Sequence, residues 1–205
     1  MDLGLSFAIQ LFIVVDPIAG LPVFLAITPR NSSQERQAMA RRGCLVAFLL
    51  VVFFLLGGPV LLAYLGISTA AVRIAGGLLL FAIALEMLYG RPTGTGTTRR
   101  EERLAEAKAD ISITPLAIPL LAGPGAIANC LIFAGRATGG GDYLQLLAAA
   151  ATVFGMTYLL LARANILAGW LGSLGTAITT RVMGLVLAFL AVQYVIDGLH
   201  AVLEG

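Results

Sequence analysis

This sequence has few charged residues. Only 12% of its 205 residues are Asp, Glu, Lys or Arg, whereas a soluble domain carries about 25%. Cysteine and histidine are also scarce, with two and one, and two separate cysteines make neither a disulfide framework nor a metal motif. Hydrophobic residues make up 59%, and the mean hydropathy is +0.95. A soluble fold is therefore excluded, and the solvent of this chain is largely lipid.

Motifs of enzymes are missing as well. The sequence has no H-E-x-x-H metal site and no G-x-S-x-G nucleophile turn. The glycine-rich run G-T-G-T-T at 94–98 lacks the lysine that a P-loop requires. We therefore predict a protein that is not an enzyme, binds no metal or organic cofactor, and is not itself driven by ATP.

Six apolar runs are each about as long as a bilayer core requires, which is about 20 residues of helix. They cover residues 5–29, 42–66, 72–90, 113–135, 143–162 and 182–203. The runs are continuously apolar, whereas the strands of a membrane barrel alternate with a period of two. We predict an all-α integral membrane protein with six transmembrane helices. No basic segment precedes the first run, so we expect it to be a retained span.

Basic residues gather on one side of this topology. Eleven of the thirteen fall in the loops after the first, third and fifth runs, and only Arg73 and Arg136 fall on the other side. The positive-inside rule places those loops in the cytoplasm and both termini outside. The loop 91–110 also carries acidic residues at helical pair spacing, which favours a solvated connector over a nucleic-acid contact.

The chain contains one internal repeat. R-I-A-G-G-L-L-L-F at 73–81 matches R-V-M-G-L-V-L-A-F at 181–189, and the proline pair 17 and 22 is matched by the pair 119 and 124. Because each copy holds three spans, the second must enter the membrane from the opposite face, as in many secondary transporters. We predict a first repeat over 1–90, a charged cytoplasmic connector over 91–112 and a second, inverted repeat over 113–205.

The first helix of each repeat is broken by proline and glycine. Broken backbone in a membrane is tolerated only where it is buried in protein or lines a wet cavity. Paired breaks in an inverted repeat point to a substrate site near the midplane. The predicted substrate-binding residues are Asp16, Pro17, Gly20, Pro22, Pro119, Gly123, Pro124, Gly125 and Asn129, with Glu86 and Gln193 as secondary candidates.

Two polar residues near the breaks each have two interpretations. Asp16 is either a ligand for an amine, a cation or a proton, or a helix N-cap followed by proline at the first helical position. Asn129 either contacts a substrate or makes a hydrogen bond between helices. The positive and negative ends of half-helices suit a small zwitterion.

Four segments resemble the signature segments of the MarC family, also described as a family of small neutral amino acid transporters. They are DPIAGLPVF at 16–24, RIAGGLLLFAIALEML at 73–88, PLAIPLLAGPGAIA at 115–128 and RVMGLVLAFLAVQYVIDGL at 181–199. The resemblance implies a six-span inner-membrane protein with two inverted repeats. It also implies transport of glycine- or alanine-like substrates, coupled to a cation such as Na⁺ or H⁺. The alternative is a passive channel or an uncoupled efflux pathway for small polar metabolites.

Overall fold

The structure is a computed structural model that describes residues 2–29, 31–90, 116–117 and 121–203. Within these ranges every long regular element is an α-helix, so the predicted all-α class is confirmed. The helices are α1 (Leu3–Val15), α2 (Pro17–Ile27), α3 (Ser33–Tyr64), α4 (Thr69–Tyr89), α5 (Pro124–Ala134), α6 (Gly140–Ala162) and α7 (Ala164–Leu203).

Five stretches of the described chain are long and apolar enough to cross a membrane. They are Leu3–Ile27, Ser33–Tyr64, Thr69–Tyr89, Gly140–Ala162 and Leu174–Leu203, and they correspond to the predicted spans one, two, three, five and six. The predicted fourth span, 113–135, is described only in part, and its helix α5 has 11 residues, too few to cross alone. The predicted connector, 91–112, lies outside the described residues.

Helix α3 begins nine residues before the predicted span because a capping box starts it in polar sequence. The Glu35 N–H donates to Ser32 Oγ at 3.3 Å, and the Ser32 N–H donates to Glu35 Oε2 at 2.7 Å. A helix of 32 residues is about 48 Å long, longer than the hydrocarbon core of about 30 Å. Its first turns therefore extend beyond the lipid.

Helix α7 is interrupted at Gly172, whose backbone has φ 61° and ψ 179°. Glycine adopts this conformation without the steric cost that a Cβ would add. The spanning part therefore begins at Leu174 rather than at the predicted residue 182. Trp170 lies just before the break and is 88% exposed, as expected for an aromatic residue at a membrane interface.

Helices α4 and α7 form the most extensive contact of the bundle, and glycines bring them close. A Cβ on Gly77 would lie 2.7 Å from the Ala191 carbonyl oxygen, and a Cβ on Gly184 would lie 2.7 Å from Met87 Cβ. Small residues at such positions let membrane helices approach closely. The early residue Gly77 of α4 faces the late residue Ala191 of α7, whereas the late residue Met87 of α4 faces the early residue Gly184 of α7. The two helices are therefore antiparallel.

One end of the bundle, the basic end, is formed by the α2–α3 and α6–α7 connections. There the Arg36 guanidinium donates to the Thr28 carbonyl at 2.7 and 3.1 Å and to Asn165 Oδ1 at 2.9 Å. Five of the seven described basic residues belong to this end, namely Arg36, Arg41, Arg42, Arg163 and Arg181. The other two, Arg73 and Arg136, belong to the opposite end, where the described chain begins and finishes.

The chain crosses the bundle between α4 and α6. Helix α4 finishes at the basic end, whereas α6 begins at the opposite end. There the first turns of α6 pack beside the start of α1, because a Cβ on Gly4 would lie 3.1 Å from Gln145 Cβ. Helix α5 finishes at that same end, because a Cβ on Gly135 would lie 3.4 Å from Thr69 Cγ2. The ends of α4 and α5 therefore lie at opposite ends of the bundle, and the fourth span stays a prediction.

We predict that the basic end faces the cytoplasm. A membrane-impermeant thiol reagent added to intact cells should label Gly140→Cys, at the exposed opposite end, and not Gln34→Cys, at the exposed basic end. The native Cys44 and Cys130 are buried and free, so they add little background. Labelling of Gln34→Cys from outside, with Gly140→Cys silent until lysis, would reverse the orientation.

Candidate functional site

Asp16 is the residue at which the first membrane segment breaks. Its backbone has φ 40° and ψ 63°, and it is the one non-glycine residue of the described chain with positive φ. Its N–H donates to the Phe12 carbonyl at 3.0 Å and closes α1, while its Oδ1 accepts from the Ala19 N–H at 3.3 Å and opens α2. A left-handed non-glycine residue costs about 1–3 kcal/mol and is typical of functional sites.

The cap accounts for only one of the two carboxylate oxygens of Asp16. Its Oδ2 is buried and has no hydrogen-bond partner among the described residues. A buried carboxylate oxygen without a partner is costly. The helix-cap interpretation of Asp16 thus describes Oδ1, and the ligand interpretation, which concerns Oδ2, stays a prediction.

Two prolines add free carbonyl groups near Asp16. Pro17 is the first residue of α2, and Pro22 lies inside it. Because proline has no N–H, the carbonyls of Ile13 and Ile18, four residues earlier, lose their usual helical donors. The end of α1 and the start of α2 thus offer carbonyl oxygens as well as a carboxylate, which are the ligands that an ammonium group or a metal cation takes.

Gly20 lies one turn after Asp16 on α2. The residue is buried, and a Cβ added to it would meet no described atom within 4 Å. Glycine is common where the backbone comes close to a ligand or to another segment of backbone.

The second break precedes α5. The Ala122 N–H donates to the Ala117 carbonyl at 2.9 Å, five residues back, which is the wide spacing of a π-type turn. Such turns are frequent at functional sites. The predicted site residue Pro119 lies outside the described residues.

Helix α5 begins with backbone donors that nothing within it can satisfy. Gly123 is the N-cap and supplies no side-chain hydrogen bond, and Pro124 has no N–H. The Ile127 N–H donates to the Gly123 carbonyl at 3.2 Å, so the N–H groups of Gly125 and Ala126 are the ones without intrahelical acceptors. Together with the helix dipole they favour an anionic group.

The two breaks meet at Gly125. A Cβ on this glycine would lie 3.1 Å from Val14 Cγ1, 3.2 Å from Leu80 Cδ2 and 2.6 Å from Ile83 Cδ1. Val14 is in the last turn of α1, two residues before Asp16. The start of α5 therefore packs directly against the first break, and Gly125 itself is occupied by packing rather than bordering free space.

Asn129 is the second buried polar group with an unused atom. It is 1% exposed, and its Nδ2 has no partner among the described residues. Its Oδ1 accepts from the Tyr194 hydroxyl at 3.4 Å, and that hydroxyl also contacts Gln10 Oε1. Asn129 therefore makes the helix–helix hydrogen bond and still presents a donor.

The cluster of Gln10, Asn129 and Tyr194 joins α1, α5 and α7. The sequence interpretation missed Gln10 and Tyr194. Gln10 is the one polar side chain between Ser6 and Asp16 in an apolar helix, which is a usable signal, because isolated polar residues in membrane helices face the bundle interior. Tyr194 has no comparable signal, since tyrosine also occurs at lipid interfaces.

The secondary candidates lie in different surroundings. Gln193 lies on an exposed face of α7, and its Nε2 donates to Asp197 Oδ1 at 2.7 Å. Glu86 is partly buried in the last turns of α4, toward the basic end. The residues at the breaks are therefore the stronger part of the predicted set.

An ion pair lies above this cluster at the opposite end. Arg136 Nη2 is 3.4 Å from Asp197 Oδ2, with both side chains about one-third exposed. The Arg136 guanidinium also lies over the rings of Phe133 and Tyr194, at 5.2 and 5.4 Å from their centroids. Arg136 thus links the solvent-exposed end of the bundle to the buried Tyr194.

Comparison with known proteins identifies the family of this chain. The profile of the MarC family integral membrane proteins matches residues 1–203. The chain belongs to the MarC family. The resemblance of its sequence segments is confirmed over the whole chain.

Relatives share the chain almost end to end. It is 36% identical to the UPF0056 membrane protein MJ1677 of Methanocaldococcus jannaschii, over 95% of this chain and 94% of the relative. It is 34% identical to YvbG of Bacillus subtilis, over 93% and 91%. It is 30% identical to the inner membrane protein YhgN of Escherichia coli, over 98% of both. No solved structure matches the chain.

We predict that Tyr194→Phe destabilises the protein by about 1 kcal/mol, because it removes the one hydroxyl proton that the amide oxygens of Gln10 and Asn129 share as a donor, and a buried acceptor that loses its donor is costly. Unfolding of the purified protein in mixed micelles measures the change. Tyr89→Phe, on a side chain that is 71% exposed, is the matched control and should change stability by less than about 0.5 kcal/mol. Equal values for the two variants would mean that the cluster does not stabilise the bundle.

Proposed function

We propose that this MarC family protein is a secondary transporter that moves small neutral amino acids across the inner membrane. One observation carries the proposal. Two helix breaks meet inside the bundle, and near them are two buried polar atoms, Asp16 Oδ2 and Asn129 Nδ2, that have no partner among the described residues.

The chemistry of the two breaks is complementary to a zwitterion. The Asp16 carboxylate and the carbonyl groups freed by Pro17 and Pro22 suit an ammonium group. The N-terminus of α5 and Asn129 Nδ2 offer donors to a carboxylate. A neutral amino acid carries both charges, so one solute can satisfy both poles at once.

The dimensions favour a small side chain. The start of α5 is closely packed at Gly125, and the buried Gly20 has no side chain to occupy the space beside α2. Glycine and alanine fit such a space, whereas phenylalanine and arginine add bulk or charge that it does not accommodate. The size of the solute is therefore limited by the close approach of the helices.

The packing of the bundle supports the inverted repeat on which transport depends. Helix α2 packs on α7 and α5 packs on α4, while α3 packs on α6 and α4 on α7. Suppose that α2 corresponds to α5, α3 to α6 and α4 to α7. The α2–α7 contact is then equivalent to the α5–α4 contact, while the α3–α6 and α4–α7 contacts each join a helix to its own equivalent. Movement of one repeat against the other would then expose the site to either side in turn.

A cation is the proposed source of driving force. Asp16 is an acidic residue within the first membrane segment, and its Oδ2 can take a substrate ammonium, Na⁺ or a proton. Backbone carbonyls at the break can complete the coordination of an ion. Coupling through this group would make transport depend on the gradient of that ion.

Binding and transport are tested separately. Glycine or alanine should raise the unfolding temperature of the purified protein, because a ligand that binds only the folded state stabilises it, whereas phenylalanine and arginine should not. In proteoliposomes, accumulation of the same amino acid should require an ion gradient. Uptake that only equilibrates, and persists after every gradient is collapsed, would instead identify a passive channel.

We predict that Asp16→Asn keeps the fold and abolishes stabilisation by glycine and coupled uptake. Asparagine caps a helix about as well as aspartate, but it carries no charge for a cation. Asp142→Asn is the matched control, because Asp142 lies in the first turn of α6, away from the breaks, and accepts from the Thr138 N–H at 2.8 Å. Unchanged uptake and ion dependence in Asp16→Asn would leave this residue as a helix cap alone.

We predict that Gly20→Ala weakens binding of alanine more than binding of glycine. The added methyl group has no described atom within 4 Å to clash with, and alanine in a helix is favoured over glycine by up to about 1 kcal/mol. The protein should therefore be as stable or more stable while the substrate loses volume. Ligand-induced thermal shifts measure both, and Gly139→Ala is the control. Unaltered selectivity would place the substrate elsewhere.

A further inference from the structure

Helices α3 and α6 leave a furrow between them at the basic end that the proposed transport does not use. Its upper part has a volume of about 200 Å³ and is lined by the polar side chains of Gln34, Gln37, Arg41 and Tyr158. Its lower part has a volume of about 410 Å³. The two parts share Arg41 and Tyr158, so they form one continuous furrow.

The lower part of the furrow is apolar. Phe48 and Phe154 line it, with their ring centroids 6.3 Å apart and the ring planes at 68°. Gly155 opens it further, because a Cβ on that residue would meet no described atom within 4 Å. Its volume of about 410 Å³ lies within the range of pockets that hold organic ligands.

Arg41 lies at the level where lipid headgroups are expected. The sequence of α3 is polar from Ser33 to Arg42 and continuously apolar from Cys44 to Leu56, so the hydrocarbon boundary falls just after Arg41. Tyr158 lies about one turn before the end of α6 at Ala162, the interfacial position that tyrosine prefers. The polar part of the furrow is thus at headgroup depth, and the apolar part faces the acyl chains.

The upper part of the furrow is built of hydrogen-bond donors, and no described acidic residue lines it. Neither Arg41 nor Tyr158 makes a side-chain hydrogen bond or ion pair within the described part of the chain, and neither part of the furrow is lined by a described acidic residue. A guanidinium and a phenol beside two amides match the oxygen atoms of a phosphodiester. Charge complementarity therefore selects an anionic group there.

We propose that this furrow binds an anionic phospholipid of the leaflet at the basic end. The phosphodiester contacts Arg41 and Tyr158, and one acyl chain lies along Phe48, Phe154 and Gly155. The site is separate from the helix breaks, so it stands or falls independently of the proposed transport.

Thermal unfolding of the full-length protein in detergent tests the proposal with three additives. Phosphatidylglycerol should stabilise the protein, while phosphatidylcholine with the same acyl chains should do so much less, because its headgroup has no net charge. Soluble glycerol 3-phosphate should not stabilise, because it lacks the chains. Equal stabilisation by the two lipids, or full stabilisation by glycerol 3-phosphate, would overturn the proposal.

One variant and its control test the contact with the lipid headgroup. Arg41→Gln should weaken phosphatidylglycerol binding about fivefold, the contribution of one basic residue near an anionic membrane. Arg181→Gln removes a charge from an exposed position on α7 at the same end and should leave binding unchanged. Equal losses in the two variants would mean general attraction to the basic end and would overturn the proposed site.

Gly155→Leu should fill the lower part of the furrow and displace the acyl chain. Gly141→Leu is its control on the same helix, since a Cβ there also meets no described atom within 4 Å. Native mass spectrometry of phosphatidylglycerol retained by each variant should show loss in Gly155→Leu alone. Unfolding temperatures in lipid-free detergent verify that both variants are folded, and retention equal to that of the original protein in Gly155→Leu would overturn the acyl-chain assignment.

Discussion

Every backbone polar group that lies inside the membrane must find a partner without the help of water, and that constraint organises the structure. A continuous helix meets it without help, which is why most of the described chain is helical. The helix is interrupted at Asp16 and before Pro124, where carbonyl and N–H groups lose their intrahelical hydrogen-bond partners. Lipid cannot satisfy those groups, so both interruptions have to lie inside the bundle, against other helices.

Close packing is what brings the two interruptions together. A methyl group on Gly125 would lie 2.6 Å from Ile83 Cδ1 and 3.1 Å from Val14 Cγ1 unless those side chains moved, so α5 starts against the end of α1. Gly77 and Gly184 likewise allow α4 and α7 to pack closely against each other. In a membrane, where lipid competes equally well for apolar side chains, such small-residue contacts hold helices in place, and here they also bring the breaks into one region.

The polar groups at the centre are linked to the opposite end of the bundle. Asn129 bonds to Tyr194, whose ring lies beneath the Arg136 guanidinium, which in turn is paired with Asp197. Two buried atoms in the interior, Asp16 Oδ2 and Asn129 Nδ2, have no hydrogen-bond partner among the described residues. Buried polar atoms are rarely left unpaired, and these two are the observation on which the proposed substrate site rests.

The solvent, the helical class, the family and the positions of the breaks could all be predicted from the amino-acid sequence. These follow from local properties: apolar length, proline without an N–H, and motifs such as DPIAGLPVF. The sequence located Asp16 and Asn129 because an ionisable or amide group inside an apolar run has few alternatives to a buried polar role.

How those residues divide their atoms follows from the packing of the helices. Asp16 uses one oxygen as a cap, its other oxygen has no partner among the described residues, and Gly125 is closely packed. Gln10 and Tyr194 were found only through the hydrogen-bonded cluster that they form with Asn129. The reason is physical: the surroundings of Gly125 and Tyr194 are set by residues 42 to 184 positions away in the chain, and a local pattern carries no information about them.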